Sequence, residues 1–360
     1  MVDTILDGID VHSIRTPRYT AQVLERPADA ATREPRTVLF VHGNVSSSLF
    51  WQPTMLGLPA DVRALALDLR GFGGSETLPV DATRGLGDFA EDLASVIQGL
   101  KLDAVHLVGW SMGGGVVLQC LLEHAVPVAS VTLVNPVSPY GFGATAGPDG
   151  RLLTADAAGS GGGGVNPDFI ARLQGGDRTA DAPSSPRSVY LQTYVKPPFT
   201  TEHDDIWVES MLTTALGEGN YPGDAEPSEN WPGFAPGDHG VLNTMAPTHF
   251  DVSGIPHLAA KPPILWIHGA DDVIVSDASL FDLNHLGALG VIPGWPGADA
   301  APPQPMVTQT RTVLDRYRTH GGHYEEVELA DCGHSPHLEC PDRFREALLA
   351  HLDGSDEAAA

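Results

Sequence analysis

Only three lysines occur in this 360-residue chain, Lys101, Lys196 and Lys261, and its 20 Lys and Arg face 46 Asp and Glu, a formal net charge of −26 at pH 7. A surface so short of cations repels nucleic acid, anionic membranes and polyanionic substrates, so the expected partner is a neutral or weakly charged small molecule. Cysteine is equally scarce. Cys120, Cys332 and Cys340 cannot form an even disulfide framework and none has C-x-x-C zinc spacing, so they read as buried or incidental thiols. No apolar run reaches membrane-spanning length, and the opening MVDTILDGIDVHSIRTPRYT lacks the basic start and apolar stretch of a secretion signal, so a soluble, cytoplasmic protein is expected. No metal cluster, dinucleotide fingerprint or P-loop is visible. GFGATAG at 141–147 lacks both G-x-G-x-x-G spacing and a Lys-Ser/Thr ending, so no cofactor and no metal is expected.

With 42% hydrophobic residues the chain can bury a large core. IDVHSIRT and RYTAQVLE, 9–16 and 18–25, read as an antiparallel pair. Strands then alternate with helices: strand 37–42, strand 62–68, helix 86–100, strand 104–109, helix 112–125 and strand 129–134. This is the signature of a mostly parallel sheet. After Asn135 the rhythm breaks. Residues 136–261 are rich in proline and scattered aromatics and read as a loop-rich insert with short helices near 166–174 and 203–217. GSGGGG, 159–164, reads as a disordered surface loop or a hinge. A second excursion, 279–305, precedes a helix at 306–320; it either walls the entrance to a site, forms a subunit contact as in a homodimer, or is a packed surface loop.

AVHLVGWSMGGGVVLQCLLEHA, 104–125, carries the chemistry. It reads as a buried strand, a sharp turn bearing Ser111 and an apolar helix, with Gly109, Gly113, Gly114 and Gly115 keeping the turn free of bulk. With 40 glycines in the chain, G-x-S-x-G alone is weak evidence; the strand-turn-helix context gives it meaning. Three further segments stand in the order that context predicts: TVLFVHGN (37–44), ALALDLRGFGGS (64–75), and PPILWIHGADDVIV (262–275) with ELADCGHSPHLECPDRF (328–344). Together they resemble the α/β-hydrolase superfamily in its serine-nucleophile, capped branch. The resemblance covers 36–135 and 262–352.

It implies an α/β-hydrolase fold, a mostly parallel central sheet flanked by helices, with 1–135 and 262–360 as the core and 136–261 as an inserted cap. It also implies the chain order Ser111, Asp272, His334 for a catalytic triad. A serine hydroxyl needs a base near its operating pH, and His334, after Gly333, stands at the family's position for it; His337 is the local rival, in a place of structural role. Counting three residues from Gly269 selects Asp272 over Asp271 as the orienting acid. Asn44, after His42-Gly43, and Met112, after the nucleophile, would donate the oxyanion-hole N–H groups. The dehalogenase branch carries an Asp nucleophile, so Ser111 argues against dehalogenase and epoxide-hydrolase chemistry. Trp110 and His42 are expected to orient the loops, and Trp110, Tyr140, Tyr190 and Trp207 are candidate pocket residues.

The expected activity is cofactor-independent cleavage of a carboxylic ester or lactone, bulky and apolar or aromatic, through an acyl-enzyme. A C–C bond hydrolase or an acyltransferase would reuse the triad, and a ligand-binding relative with an idle triad is the non-enzymatic alternative.

Overall fold

Eight strands, most of them apolar on both faces, make one sheet, because each central strand is sandwiched by helices and has no face left for water. A computed structural model describes residues 2–32 and 35–359, with side chains through Ser355. The strands are β1 (Asp10–Arg15), β2 (Thr20–Arg26), β3 (Arg36–Val41), β4 (Val62–Leu67), β5 (Val105–Trp110), β6 (Val128–Val134), β7 (Ile264–Gly269) and β8 (Tyr324–Leu329). Their order is β1-β2-β4-β3-β5-β6-β7-β8. β1 and β2 are antiparallel, as is β2 with β4; every later pairing is parallel. Every residue of β5 and of β7 is buried, whereas the edge strand β1 is largely exposed. The helices Gly87–Gly99 and Met112–Glu123 pack on each other, while Met306–Thr319 and Pro341–Ala359 lie against the β6–β8 side.

This topology decides where a site can form. The chain leaves β3 in one direction across the sheet, to β4, and leaves β5 in the other, to β6, so the loops after β3 and β5 splay apart at their carboxyl ends and open a crevice. The loops after β7 and β8 end at the same edge.

Residues 136–261 leave β6 and return to β7. Their helices are Pro167–Gln174, Pro186–Val189 running into a wider turn at Tyr190–Tyr194, and Asp204–Leu212. The second expected helix, 203–217, stops at Leu212, where the Thr213 hydroxyl turns back to the Ser210 carbonyl at 2.6 Å. The helix at Pro186 was missed, although proline at its first position after Ser185 is a start signal. The two ends of the insert are tied to each other: Val252 N–H donates to Pro139 O and Phe142 N–H to Met245 O. The glycine run is an ordered, packed turn. Gly162 N–H donates to Asn243 Oδ1 at 2.8 Å, and a Cβ on Gly161 would lie 2.2 Å from that same oxygen, so the run is packed as a wall. Among the described residues no helix is long and apolar enough to cross a membrane.

Candidate active site

Ser111 sits between β5 and the Met112–Glu123 helix with φ 58° and ψ −123°, a conformation that costs a non-glycine residue on the order of 1–3 kcal/mol. The surroundings hold it there. Ser111 N–H donates to Val134 O, while its carbonyl accepts from Gly114 and Val137 N–H. The turn is tight enough to explain its glycines: a Cβ on Gly113 would lie 2.5 Å from the Val41 and His42 carbonyls, and one on Gly43 would lie 2.8 Å from Ser111 Cβ. Ser111 Oγ makes no hydrogen bond to a described residue in this conformation and faces the same cavity as His334.

His334 is buried on the loop after β8. Its Nδ1 pairs with Asp272 Oδ2 at 2.8 Å, which fixes the imidazole's orientation and leaves Nε2 for the cavity side. Asp272, on the loop after β7, is saturated with donors: Oδ1 accepts Ile274 and Val275 N–H at 2.7 and 3.1 Å, and Oδ2 also accepts Asn135 Nδ2 at 2.6 Å. Its neighbour Asp271 points elsewhere, to Lys196 Nζ at 2.8 Å. The structure therefore brings Asp272, and not Asp271, to His334.

Two backbone amides adjoin Ser111: that of Met112, next in the chain, and that of Asn44, beside Gly43, which packs on Ser111 Cβ. Met112 opens its helix, so its N–H has no intrahelical acceptor. Asn44 N–H shares a peptide plane with the Gly43 carbonyl and points the opposite way. That carbonyl is gripped by His42 Nδ1 at 2.7 Å and by the Ser46 hydroxyl at 2.8 Å. Leu69 N–H donates to His42 Nε2, so Nε2 is an acceptor and the ring proton is on Nδ1; burial holds the ring's pKa down and keeps it neutral. His42 thus fixes the direction of the Asn44 N–H. Asn44 Oδ1 is buried without a partner among the described residues.

Asn135, Glu339 and Tyr194, which the sequence reading did not single out, surround this core together with Trp110, which it did. Asn135 extends from the end of β6 to Asp272, with φ 41°; an asparagine at the carboxyl end of a central strand was the available signal. Glu339 accepts N–H groups from Gly333 (2.9 Å), Ser335 (3.1 Å) and Lys196 (2.7 Å), and its burial raises its carboxyl pKa. Tyr194 donates its hydroxyl to Asn44 O at 2.8 Å. Trp110 donates Nε1–H to the His334 carbonyl at 2.8 Å and lines the cavity.

His337 does not compete with His334. It is enclosed by Trp51 and Trp110 at ring distances of 4.3 and 4.9 Å, and burial pushes its pKa down to about 3. Burial likewise raises the Cys332 thiol and takes Cys120 up to about 12, which makes both poor nucleophiles. His268, Glu326 and Glu328 approach one another closely enough to share an ion, but Arg311 already holds both oxygens of Glu326 through its Nε and Nη2.

The cavity above Ser111 has a volume of about 630 Å³, in the range of drug-sized ligand sites. Its walls come from the insert (Phe142, Phe169, Tyr194, Tyr221, Met245 and the 159–164 turn) and from the excursion (Leu280, Phe281, Leu283, Leu286). No Asp, Glu, Lys or Arg lines it. Three expected pocket residues are elsewhere. Tyr190 and Trp207 are fully buried between insert and core, Trp207 stacked on Phe50 at 5.0 Å and Tyr190 bonded to Asp204. Tyr140 packs on Gly150 and receives Arg316. Their size draws them into the tightest packing, which is a different position from a cavity wall.

The parallel sheet, the strained serine turn and the Asp272–His334 pair define an α/β-hydrolase fold. Residues 36–152 match the family described as alpha/beta hydrolase fold. It is 40% identical over 114 residues, 31% of this chain and 27% of the relative, to "Probable lysophospholipase BODYGUARD 4" of Arabidopsis thaliana. It is 27% identical over 108 residues, 30% of this chain and 36% of the relative, to carboxylesterase YbfK of Bacillus subtilis. These matches thus span only about a third of the curated relatives' length. Among solved structures, an esterase of Exiguobacterium antarcticum superposes over 95% of this chain and 98% of its own with TM-score 0.57 and 16% identity. The carboxylesterase CesB (YbfK) of Bacillus subtilis does so over 96% and 92%, with TM-score 0.56 and 14% identity.

Proposed function

We propose that the protein is a serine hydrolase that cleaves a neutral carboxylic ester or lactone with bulky apolar parts, through an acyl-enzyme. The observation that carries this reading is a single uncharged cavity containing both Ser111 in a strained turn and His334 oriented by Asp272. On substrate binding, Ser111 Oγ attacks the acyl carbon while Nε2 of His334 takes its proton; Asp272 stabilises the imidazolium, and the N–H groups of Asn44 and Met112 hold the oxyanion. The tetrahedral species collapses, the leaving alkoxide receives the proton from His334, and water, deprotonated by the same imidazole, releases the acid. Every step uses groups of this chain, so the reaction needs no cofactor. Burying a charged group in walls of Phe, Leu, Tyr and Met without a partner is costly, which is why the substrate is neutral.

Ser111→Ala should remove about 10⁶ in kcat while the melting temperature holds, and a fluorophosphonate probe should label the parent at Ser111 and the variant nowhere. Activity within about tenfold of the parent, or labelling at another residue, would show that the nucleophile is misassigned. A panel of esters, lactones and vinylogous diketones separates the ester and lactone reading from C–C bond hydrolysis.

A further inference from the structure

The catalytic groups lie on loops from four different strands, and side chains about 1 Å out of place can cost 10²-fold in rate, so something must hold the loops in register. Within the core, Trp110 ties the β5 end to the His334 carbonyl, and Asn135 ties the β6 end to Asp272. The insert contributes a second set of ties, all from one short stretch. The Tyr194 hydroxyl donates to the Asn44 carbonyl at 2.8 Å, with Val45 O at 3.3 Å. That carbonyl belongs to the peptide after the one that carries the Asn44 N–H, so His42 and Tyr194 hold the oxyanion loop on either side of its Cα. Val45 follows with φ 44°, a left-handed conformation that a β-branched residue keeps only under such constraint.

Two residues on, Lys196 N–H donates to Glu339 Oε2, the same oxygen that accepts Gly333 N–H, while Oε1 takes Ser335 N–H. The carboxylate thus grips the residue before His334, the residue after it, and the insert. The approach is close: a Cβ on Gly333 would stand 2.8 Å from Lys196 N. Lys196 Nζ then bridges Asp271, beside the triad acid, and Asp331 on the histidine loop, at 2.8 and 2.9 Å.

We propose that the segment Tyr194–Lys196 is a brace that sets the oxyanion loop against the histidine loop, with Tyr194 as a positioning residue for the oxyanion hole and Glu339 as a positioning residue for His334; as a statement about catalysis it rests on the acyl-enzyme reading above. The insert is then part of the catalytic apparatus as well as the roof of the pocket. A brace acts on the transition state more than on substrate binding, because the oxyanion forms only after attack.

Tyr194→Phe removes one hydroxyl and leaves the ring against Trp110 and His334. It should lower kcat by about 10–100-fold with KM within about threefold, weaken a trifluoromethyl ketone transition-state analogue in step with kcat, and leave the melting temperature within a few degrees. Amide hydrogen exchange over residues 44–48 should quicken. Glu339→Gln should act similarly on kcat, with faster exchange at Gly333 and Ser335. A kcat within twofold of the parent in both variants, or losses that track only the fraction unfolded, would overturn the brace. Ser111→Ala, run alongside, tests the chemistry separately. If that variant still turns over, the acyl-enzyme reading fails, and exchange alone decides the brace: unchanged protection in Tyr194→Phe would end it.

Discussion

Two adjacent aspartates have wholly different partners, and only one of them reaches His334. Asp272 accepts four hydrogen bonds, including one from His334, in a buried site; Asp271 is half exposed and paired with Lys196. Asp272→Asn should therefore cost on the order of 10⁴ in kcat by orienting the imidazole wrongly. Asp271→Asn loses only a solvent-screened ion pair, worth about 0–1 kcal/mol, and should leave kcat within about tenfold. Steady-state kinetics on one ester decide the matter, and a larger loss at position 271 would reverse the two roles. The register was legible by counting from Gly269, because the family that the chain resembles places its acid three residues after that glycine. Asn135 was not legible. Its role depends on β6 and β7 being neighbours in the sheet, which no local pattern states.

At the scale of elements, the aromatic content of the insert divides into two populations that composition cannot separate. Trp207 and Tyr190 fasten the insert to Phe50 and the core, so truncating either to alanine should cost about 3–5 kcal/mol of stability and reduce turnover of all substrates alike. Phe142, Phe169 and Phe281 face the cavity. Replacing one of these by alanine should change kcat/KM for a bulky aromatic ester by about 10–200-fold relative to an acetate ester, with little change in melting temperature. The comparison needs both substrates and a thermal melt on each variant. Equal losses on both esters at the cavity phenylalanines would remove specificity from this wall. The 279–305 excursion shares the wall through Leu280, Phe281, Leu283 and Leu286, which accounts for apolar content unusual in a connecting loop.

At the scale of the whole molecule, two imidazoles outside the site have their pKa lowered first by burial, fully buried His337 to about 3 and partly buried His351 to about 4. An unfolded chain protonates these rings near pH 6.5. Between that value and the folded pKa the unfolded state binds more protons, so the contribution is complete above pH 6.5 and is lost as pH falls, by at most about 1.4 kcal/mol per unit per group. Thermal unfolding followed from pH 7.5 to 4.5 should show the melting temperature dropping below pH 6.5. His337→Gln should show a shallower drop than the parent. Parallel curves for the two proteins would mean that His337 titrates alike in both states.

The sequence by itself determined the alternation of strands and helices in the core, the serine turn and the acidic surface, because each is written in local periodicity, glycine placement or charge count; the order Ser111, Asp272, His334 came from the resemblance to a family. The tertiary structure alone decided which aromatics wall the cavity, that a glycine run is a packed wall, and that Asn135, Tyr194 and Glu339 join loops distant in sequence. Those relations arise from packing between elements tens to hundreds of residues apart. The sequence pattern supplies the groups; only the fold gives their distances.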